Sequence, residues 1–323
     1  MSWSDHDFRP TASWPNLRRR AELLGRVRRF FDQRGFLEVE TPILSADTVI
    51  DRHLDPMAIA DAEPNGPRWL QTSPEFAMKR LLAAGATAIY QVARVFRRDE
   101  VGPLHNPEFT LVEWYRPGDG LDEGIAILSD LCDSLLRRGP AERITYAQAF
   151  EQALDLDPHQ ASDADLRAAA HLEGIVVPES LDPHDRDGWL DLLLTERIQP
   201  WLGVERPAVL TDYPPSQAAL AVIRPGPPAV AERFELYVNG IELANGYHEL
   251  LDAEVLRHRN RENNAWRVAD GKQPLPETSR LLDAMTAGLP RCAGCALGFD
   301  RLAMIALGAG RIEEVIPFPW NRA

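Results

Sequence analysis

Apolar positions Leu17, Ala21, Leu24, Val27, Phe30 and Phe31 recur at helical spacing between Pro15 and Arg34, with arginines on the opposite face. This predicts an amphipathic helix ended by Gly35, followed by a strand, Phe36 to Thr41, closed by Pro42. Trp69 to Pro74 reads as a short strand leading to a helix through Ala83, with Ser73 as N-cap and Pro74 at its first position. Residues 91–117 read as a strand, a charged loop and a second strand. On that second strand Phe109, Leu111, Glu113 and Tyr115 share one face, while Thr110, Val112 and Trp114 share the other. Helical stripes follow at 122–138, 146–154, 163–173 and 186–201, within a mostly helical insertion at about 120–205. Strand signals return after the Pro207, Pro214 and Pro215 punctuation. Phe234 to Leu243 is a hairpin about Asn239-Gly240, whose two-residue loop pairs Val238 with Ile241 and Tyr237 with Glu242. Hairpins and segregated helical runs, without β-α-β alternation, predict an α+β fold: an antiparallel β-sheet flanked by helices.

The chain has 323 residues, 45% hydrophobic and 26% charged, enough for one large domain or two modest ones. Its net charge of −14 argues against a broad nucleic-acid-binding surface. A local basic patch remains, at Arg18, Arg19 and Arg20 with Arg26, Arg28 and Arg29. Three cysteines fit a reducing compartment, and Cys292-Ala-Gly-Cys295 lacks the second pair or nearby histidine that a zinc site needs. No signal peptide or membrane-length apolar run is present, so the expected location is cytoplasmic, away from membranes. Residues 1–14 read as a flexible N-terminal segment and 15–323 as the folded domain.

Chemistry concentrates in three places. The loop of the first hairpin carries Arg94, Arg97, Arg98 and His105, enough positive charge to grip a polyphosphate. Glu235 and Glu242 become diagonal neighbours on the second hairpin, tolerable if exposed or if a cation lies between them. Further on, Asn245, Tyr247 and Glu249 share a face. The seven-residue step from Glu242 to Glu249 would put those two on opposite faces of a regular strand, so a bulge is expected, with Gly246 as its candidate. Finally, residues 294–301 read as a strand, a close-approach glycine and a helix presenting Arg301 in its first turn, a reasonable phosphate site.

Taken in order, these blocks resemble the three signature motifs of class II aminoacyl-tRNA synthetase catalytic domains, in particular the lysyl branch. Helix 17–34 and the strand to Pro42 resemble motif 1, F-R-R-D-E…H-N-P-E-F-T motif 2, and G-C-A-L-G-F-D-R motif 3. G-I-E-L-A-N-G-Y-H-E-L resembles the lysyl-specific segment between them. Only about fifteen residues precede motif 1, where lysyl-tRNA synthetases carry an anticodon-binding domain; charging of tRNA is therefore not expected. L-Q-T-S-P-E-F and H-N-P-E-F-T-L-V-E-W-Y-R-P are similar to segments of the shortened lysyl-synthetase paralogues that attach (R)-β-lysine to a lysine side chain of elongation factor P.

The resemblance implies an ATP- and Mg2+-dependent ligase that forms an aminoacyl-adenylate, works as a homodimer and uses elongation factor P as acceptor. It implies that Arg97 holds the α-phosphate and Arg301 the γ-phosphate, with His105 at the outer phosphates. Arg98 would join the ATP-binding set, Asp99 and Asn106 would meet the adenine end, Phe109 would stack on the base, and Leu243 and Gly298 would border the nucleotide. Glu235 and Glu242 would hold magnesium. Ser73, Pro74, Glu75 and Asn245 would surround the substrate carboxylate and nearer amine, while Glu113, Tyr115 and Glu249 would hold the far ammonium. Two departures stand out: Arg98-Asp99 where the family commonly has Asn-Glu, and Ala296 where lysyl-tRNA synthetases tend to have glycine. The methyl of Ala296 would crowd an α-amine and favour β-lysine over lysine. The alternatives are an α-lysine-activating ligase with another acceptor and a non-catalytic synthetase-like binding or regulatory paralogue; retention of Arg97, Arg301, Glu235 and Glu242 argues against the latter.

Overall fold

A computed structural model of the chain describes residues 8–59 and 66–323. Of the N-terminal segment expected to be flexible, residues 1–7 lie outside the described residues. The remainder is tied down: the Thr11 N–H donates to the Pro317 carbonyl at 2.9 Å, and Ala12 is buried. The Ser13 hydroxyl accepts from the Asn16 N–H and caps α1 (Trp14–Asp32), which buries Leu23, Val27, Phe30 and Phe31 at i, i+4, i+7 and i+8.

In chain order, α1 is followed by β1 (Leu37–Glu38), β2 (Leu44–Ser45), β3 (Met57–Ile59), β4 (Arg68–Leu70), α2 (Glu75–Ala83), β5 (Ile89–Phe96) and β6 (Glu108–Pro117). The expected strand from Phe36 to Pro42 reduces to the two residues of β1, paired parallel with Ile89 and Tyr90 of β5. Then come α3 (Leu121–Leu136), β7 (Glu142–Thr145), α4 (Tyr146–Leu154), α5 (Asp163–Leu172) and α6 (Arg186–Leu193), the last continuing as short irregular helix to Trp201. Next are β8 (Ala208–Tyr213), β9 (Ile223–Arg224), β10 (Val230–Val238), β11 (Ile241–His248), α7 (Ala253–Ala269), α8 (Arg280–Gly288), β12 (Cys292–Gly298) and α9 (Phe299–Leu307).

The chain divides into two compact units. One comprises Met1–Trp114, Asn260–Ala284 and Leu297–Ala323; the other comprises Tyr115–Arg259 and Met285–Ala296. In the first unit the strand order runs β1-β5-β6, and β2-β4-β3 forms a small antiparallel sheet. Its core gathers Phe30, Phe36, Tyr90 and Trp114 around Phe31, whose ring stacks on Tyr90 at 4.6 Å between centroids. In the second unit the order runs β12-β11-β10-β8-β7, with β9 on β10, and β10 is antiparallel to all three partners. Helix α3 packs on β10 and β11, and α4 packs on β8. The helical insertion closes around Tyr146, Phe150, Leu190, Leu193 and Tyr213. Each large side chain buried there contributes roughly 1.5–3 kcal/mol.

The β10–β11 turn has the positive φ at both central residues that a two-residue hairpin loop requires, 53° at Asn239 and 70° at Gly240. Val238 pairs with Ile241 and Tyr237 with Glu242, as the turn dictates. Leu236 then pairs with Ala244, so the bulge expected at Gly246 lies at Leu243 instead. The extra residue resets the alternation. Glu242 opposite Tyr237 and Asn245 opposite Glu235 now share one face, and Tyr247 follows on it. Gly246 serves the other face, where a methyl on its α-carbon would collide with the Phe234 ring at 2.3 Å.

Candidate functional site

In the first unit, the chain from β4 into α2 places Ser73 so that its hydroxyl works twice. It donates to Glu113 Oε2 at 2.7 Å and accepts the Glu75 N–H at 3.0 Å. The N-cap of α2 is Pro74, not Ser73 as expected; Ser73 stands one residue earlier and accepts the first helical N–H. Glu113 is only 1% exposed. Glu75 is also buried, and its Oε1 accepts from Lys79 Nζ at 2.5 Å, one helical turn on. Lys79 is not among the expected site residues. Its i, i+4 spacing from Glu75 is the available signal.

The β5–β6 hairpin supplies the cationic loop. The Arg97 backbone N–H donates to the Pro107 carbonyl at 2.9 Å, closing the loop at its neck. Its guanidinium lies 3.5 Å from Glu100 and 5.1 Å from the Phe109 ring centre, so the expected phosphate ligand and base-stacking ring sit together. Arg98 and Asp99 are exposed at the tip, Asp99 with φ of 63°, a left-handed conformation that Asp tolerates. Asn106, expected at the adenine, is buried. Its amide Nδ2 donates to the Glu108 carbonyl at 2.6 Å and its Oδ1 accepts the Trp320 N–H at 2.8 Å, which makes this side chain a brace of the loop.

Arg301 stands in the first turn of α9 beyond Gly298, and its guanidinium reaches His105 Nε2 and the Leu104 carbonyl. Burial, then the Arg301 cation and, more weakly, Arg97, hold the His105 imidazole below its usual range against the opposing pull of Glu100. Arg20, grouped from the sequence with the surface arginines, is instead turned inward onto Asp300, next to Arg301. Arg18 and Arg19 are exposed.

In the second unit, the remaining candidates lie at the end of β6, on β10, β11 and β12, and just beyond β11. Glu249 is 1% exposed, and its N–H donates to the Cys292 carbonyl at 3.0 Å. The buried Tyr115 ring and the Glu249 carboxylate both crowd the α-carbon of Gly294. Asn245 has a buried Oδ1 with no hydrogen-bond partner among the described residues. Leu243 is buried in the bulge; Glu242 and Ala296 are half-buried.

Of the two alternatives for Glu235, exposure or a cation beside it, exposure does not hold: it is 4% exposed, and its Oε2 accepts from both the Tyr213 and Tyr237 hydroxyls at 2.6 Å. Oε1 accepts from Arg233 at 2.5 Å. Burial and this anion push both phenols well above their usual range, and Arg233 is held charged. Three donors leave about one of the four lone-pair positions of a carboxylate, at Oε1. Magnesium is ordinarily held by one or two carboxylates plus substrate phosphates. Glu242 with that last position of Glu235 fits such a demand. Among the described residues no group of three or more acids, histidines or cysteines forms a metal cluster.

Residues 6–322 match the family model for class II tRNA synthetases (D, K and N), and the chain belongs to that family. Within it, the elongation factor P–(R)-β-lysine ligases of Salmonella arizonae, Salmonella dublin and Salmonella heidelberg are each 46% identical to this chain over 321 residues. Each alignment covers 98% of this chain and 98% of the relative.

Proposed function

We propose that the chain is an ATP-dependent ligase that activates (R)-β-lysine and transfers it to a lysine side chain of elongation factor P. The observation that carries the reading is end-to-end similarity, 98% of both lengths, to ligases named for that reaction. The physical support, in each unit by itself, is acceptors of the kind a diamino acid needs. Glu113 and Glu249 are nearly fully buried carboxylates, and Asn245 keeps a buried carbonyl oxygen for an N–H donor. A diamino acid brings two ammonium groups, and carboxylate acceptors make the stronger, charge-assisted hydrogen bonds to them.

In the first step a substrate carboxylate oxygen attacks the α-phosphorus of ATP, and the bond to the bridging oxygen breaks with pyrophosphate taking the electron pair. Arg97 stabilises charge at the α-phosphate; Arg301 and His105 meet the outer phosphates. Arg98, Asp99 and the Asn106-braced loop border the nucleotide, as do Leu243 and Gly298, with Phe109 on the base. Magnesium, held by Glu242 and Glu235, would add charge neutralisation on the phosphates. In the second step the acceptor amine attacks the acyl carbon, AMP leaves with the electron pair, and the amine gives up a proton. Ser73, Glu75 and Asn245 orient the carboxylate and nearer amine of the substrate; Glu113, Tyr115 and Glu249 hold the farther ammonium.

The reading includes a cytoplasmic homodimer. No helix among the described residues is long and apolar enough to cross a membrane. Leu37, at 62% exposure, with Ile43 and Leu44 leaves apolar surface in the motif 1 region for a second copy. Sedimentation as a monomer would remove that element alone. The function itself is tested by mass spectrometry of purified elongation factor P incubated with the protein, ATP and (R)-β-lysine. One β-lysyl group added at a lysine is expected. An unmodified acceptor, with no amino-acid-dependent pyrophosphate exchange, would overturn the reading.

A further inference from the structure

Gly294 has no backbone reason to be glycine, since it is absent from the residues with positive φ. The reason is space. A methyl on its α-carbon would lie 2.1 Å from Tyr115 Cε1, 2.4 Å from Tyr115 Cδ1 and 2.5 Å from Glu249 Oε1. The ring edge and the carboxylate therefore stand within about 5 Å of one another, both resting on the bare β12 backbone. The Glu249 N–H bond to Cys292 fixes the strand spacing beneath them, two residues from Gly294. On the opposite face Gly246 answers a separate demand, the Phe234 ring.

We infer that Gly294 is a specificity-determining residue, whose missing side chain lets the Tyr115 ring and the Glu249 carboxylate close together on the far ammonium of a diamino acid. The inference rests on the proposed function. A β-carbon here cannot be absorbed by rotating one long side chain. Its neighbours are a phenol ring and a carboxylate, both buried, so one or both must leave the ammonium position. Neither group belongs to the nucleotide-binding set, so ATP binding should be spared.

The test is pyrophosphate exchange with lysine and (R)-β-lysine on the full chain, comparing wild type, Gly294→Ala, Glu249→Asp and the double variant. Gly294→Ala is expected to raise the KM for the diamino acid at least tenfold while the KM for ATP stays within about twofold. Because both substitutions act on the same carboxylate, the double variant should lose less than the two single losses combined. Should Gly294→Ala alone not fold, Tyr115→Ala removes the two ring carbons nearest the methyl, and the Gly294→Ala, Tyr115→Ala double variant compared with Tyr115→Ala carries the test through the remaining contact with Glu249. A folded Gly294→Ala protein with unchanged diamino-acid KM, or full additivity, overturns the inference and leaves the function standing. A wild type inert towards every diamino acid overturns the function and this inference with it.

Discussion

Arg20 of α1 and Asp300 of α9 form a nearly buried ion pair, in which the guanidinium donates to Asp300 Oδ1 while the other carboxylate oxygen accepts the Thr110 N–H at 2.8 Å. Asp300 is 2% exposed. The same guanidinium bonds the Thr110 hydroxyl at 3.1 Å and lies 4.8 Å from the Phe299 ring centre. One carboxylate thus ties the first turn of α9, where Arg301 stands, to α1 and to the start of β6.

Breaking a buried pair by removing one partner leaves the other charge uncompensated, at a cost of about 3–5 kcal/mol. Arg20→Ala should therefore lower the urea midpoint markedly. Arg18→Glu and Arg19→Glu, on the exposed face, should stay within about 0.5 kcal/mol of wild type. Reversing all three arginines together would confound folding with any contact to an acidic acceptor. The surface pair alone gives the clean comparison: a larger loss in transfer to elongation factor P than in pyrophosphate exchange. Equal losses would remove these arginines from acceptor recognition.

Ser73→Ala removes the hydroxyl that donates to Glu113 and accepts from the Glu75 N–H. A lost hydrogen bond to a buried charged group costs about 1.5–3 kcal/mol. The expected outcome in exchange assays is a roughly tenfold to hundredfold rise in amino-acid KM with little change for ATP. A matching rise in the ATP KM would show that the hydroxyl shapes the whole fold of this region.

His105 accepts from Arg301 only as neutral imidazole, and its pKa is depressed in the folded protein. The unfolded chain binds this proton more readily, so the folded state loses stability as pH falls below about 6.5, down to the lowered folded value. Urea midpoints between pH 8 and pH 5 should fall for wild type, and His105→Gln should remove part of that fall. Parallel profiles for the two proteins would contradict the assignment. Phosphate at this site should favour the protonated ring, so the His105 contribution to ATP affinity should strengthen over the same range while stability falls.

Much of this arrangement is legible in the sequence because local chemistry dictates it. Asn239-Gly240 sets the hairpin register, and the helical stripes after Gly120 end within a few residues of their observed limits. What escapes such a reading depends on partners distant in sequence. Phe36 to Pro42 looks like a strand, yet only two residues find a partner on β5. Gly246 looks like the bulge, but its small size answers Phe234, while Leu243 takes the extra position. Arg20 sits among arginines, and nothing nearby in sequence announces Asp300. The hairpin alone leaves Glu235 open between exposure and a cation, because its donor Tyr213 lies 22 residues upstream, on β8.

Ala296 is half-buried on β12, two residues beyond Gly294. If its methyl disfavours an amine on the α-carbon, Ala296→Gly should raise activity with α-lysine relative to (R)-β-lysine. One methyl-sized difference in a binding site is worth about 1–3 kcal/mol, so the ratio should move by roughly tenfold to two-hundredfold. An unchanged preference in pyrophosphate exchange would assign the discrimination elsewhere.

The cage around Glu235 yields a last prediction, in which structural and metal roles separate. Tyr213 and Tyr237 clamp Oε2, and Arg233 draws on Oε1, so the carboxylate is held in one orientation with one position left. Tyr213→Phe and Tyr237→Phe each remove a donor to a charged group and should cost about 1.5–3 kcal/mol of stability. If Glu235 also serves magnesium, the loosened carboxylate should raise the magnesium concentration needed for half-maximal ATP binding, measured by titration on the folded variants. Glu235→Gln should raise it further, because the amide carries no charge for the ion. Should all three variants lose stability while the magnesium titration stays fixed, Glu235 is an anchor of β10 against β8, and Glu242 remains as the magnesium carboxylate of this hairpin.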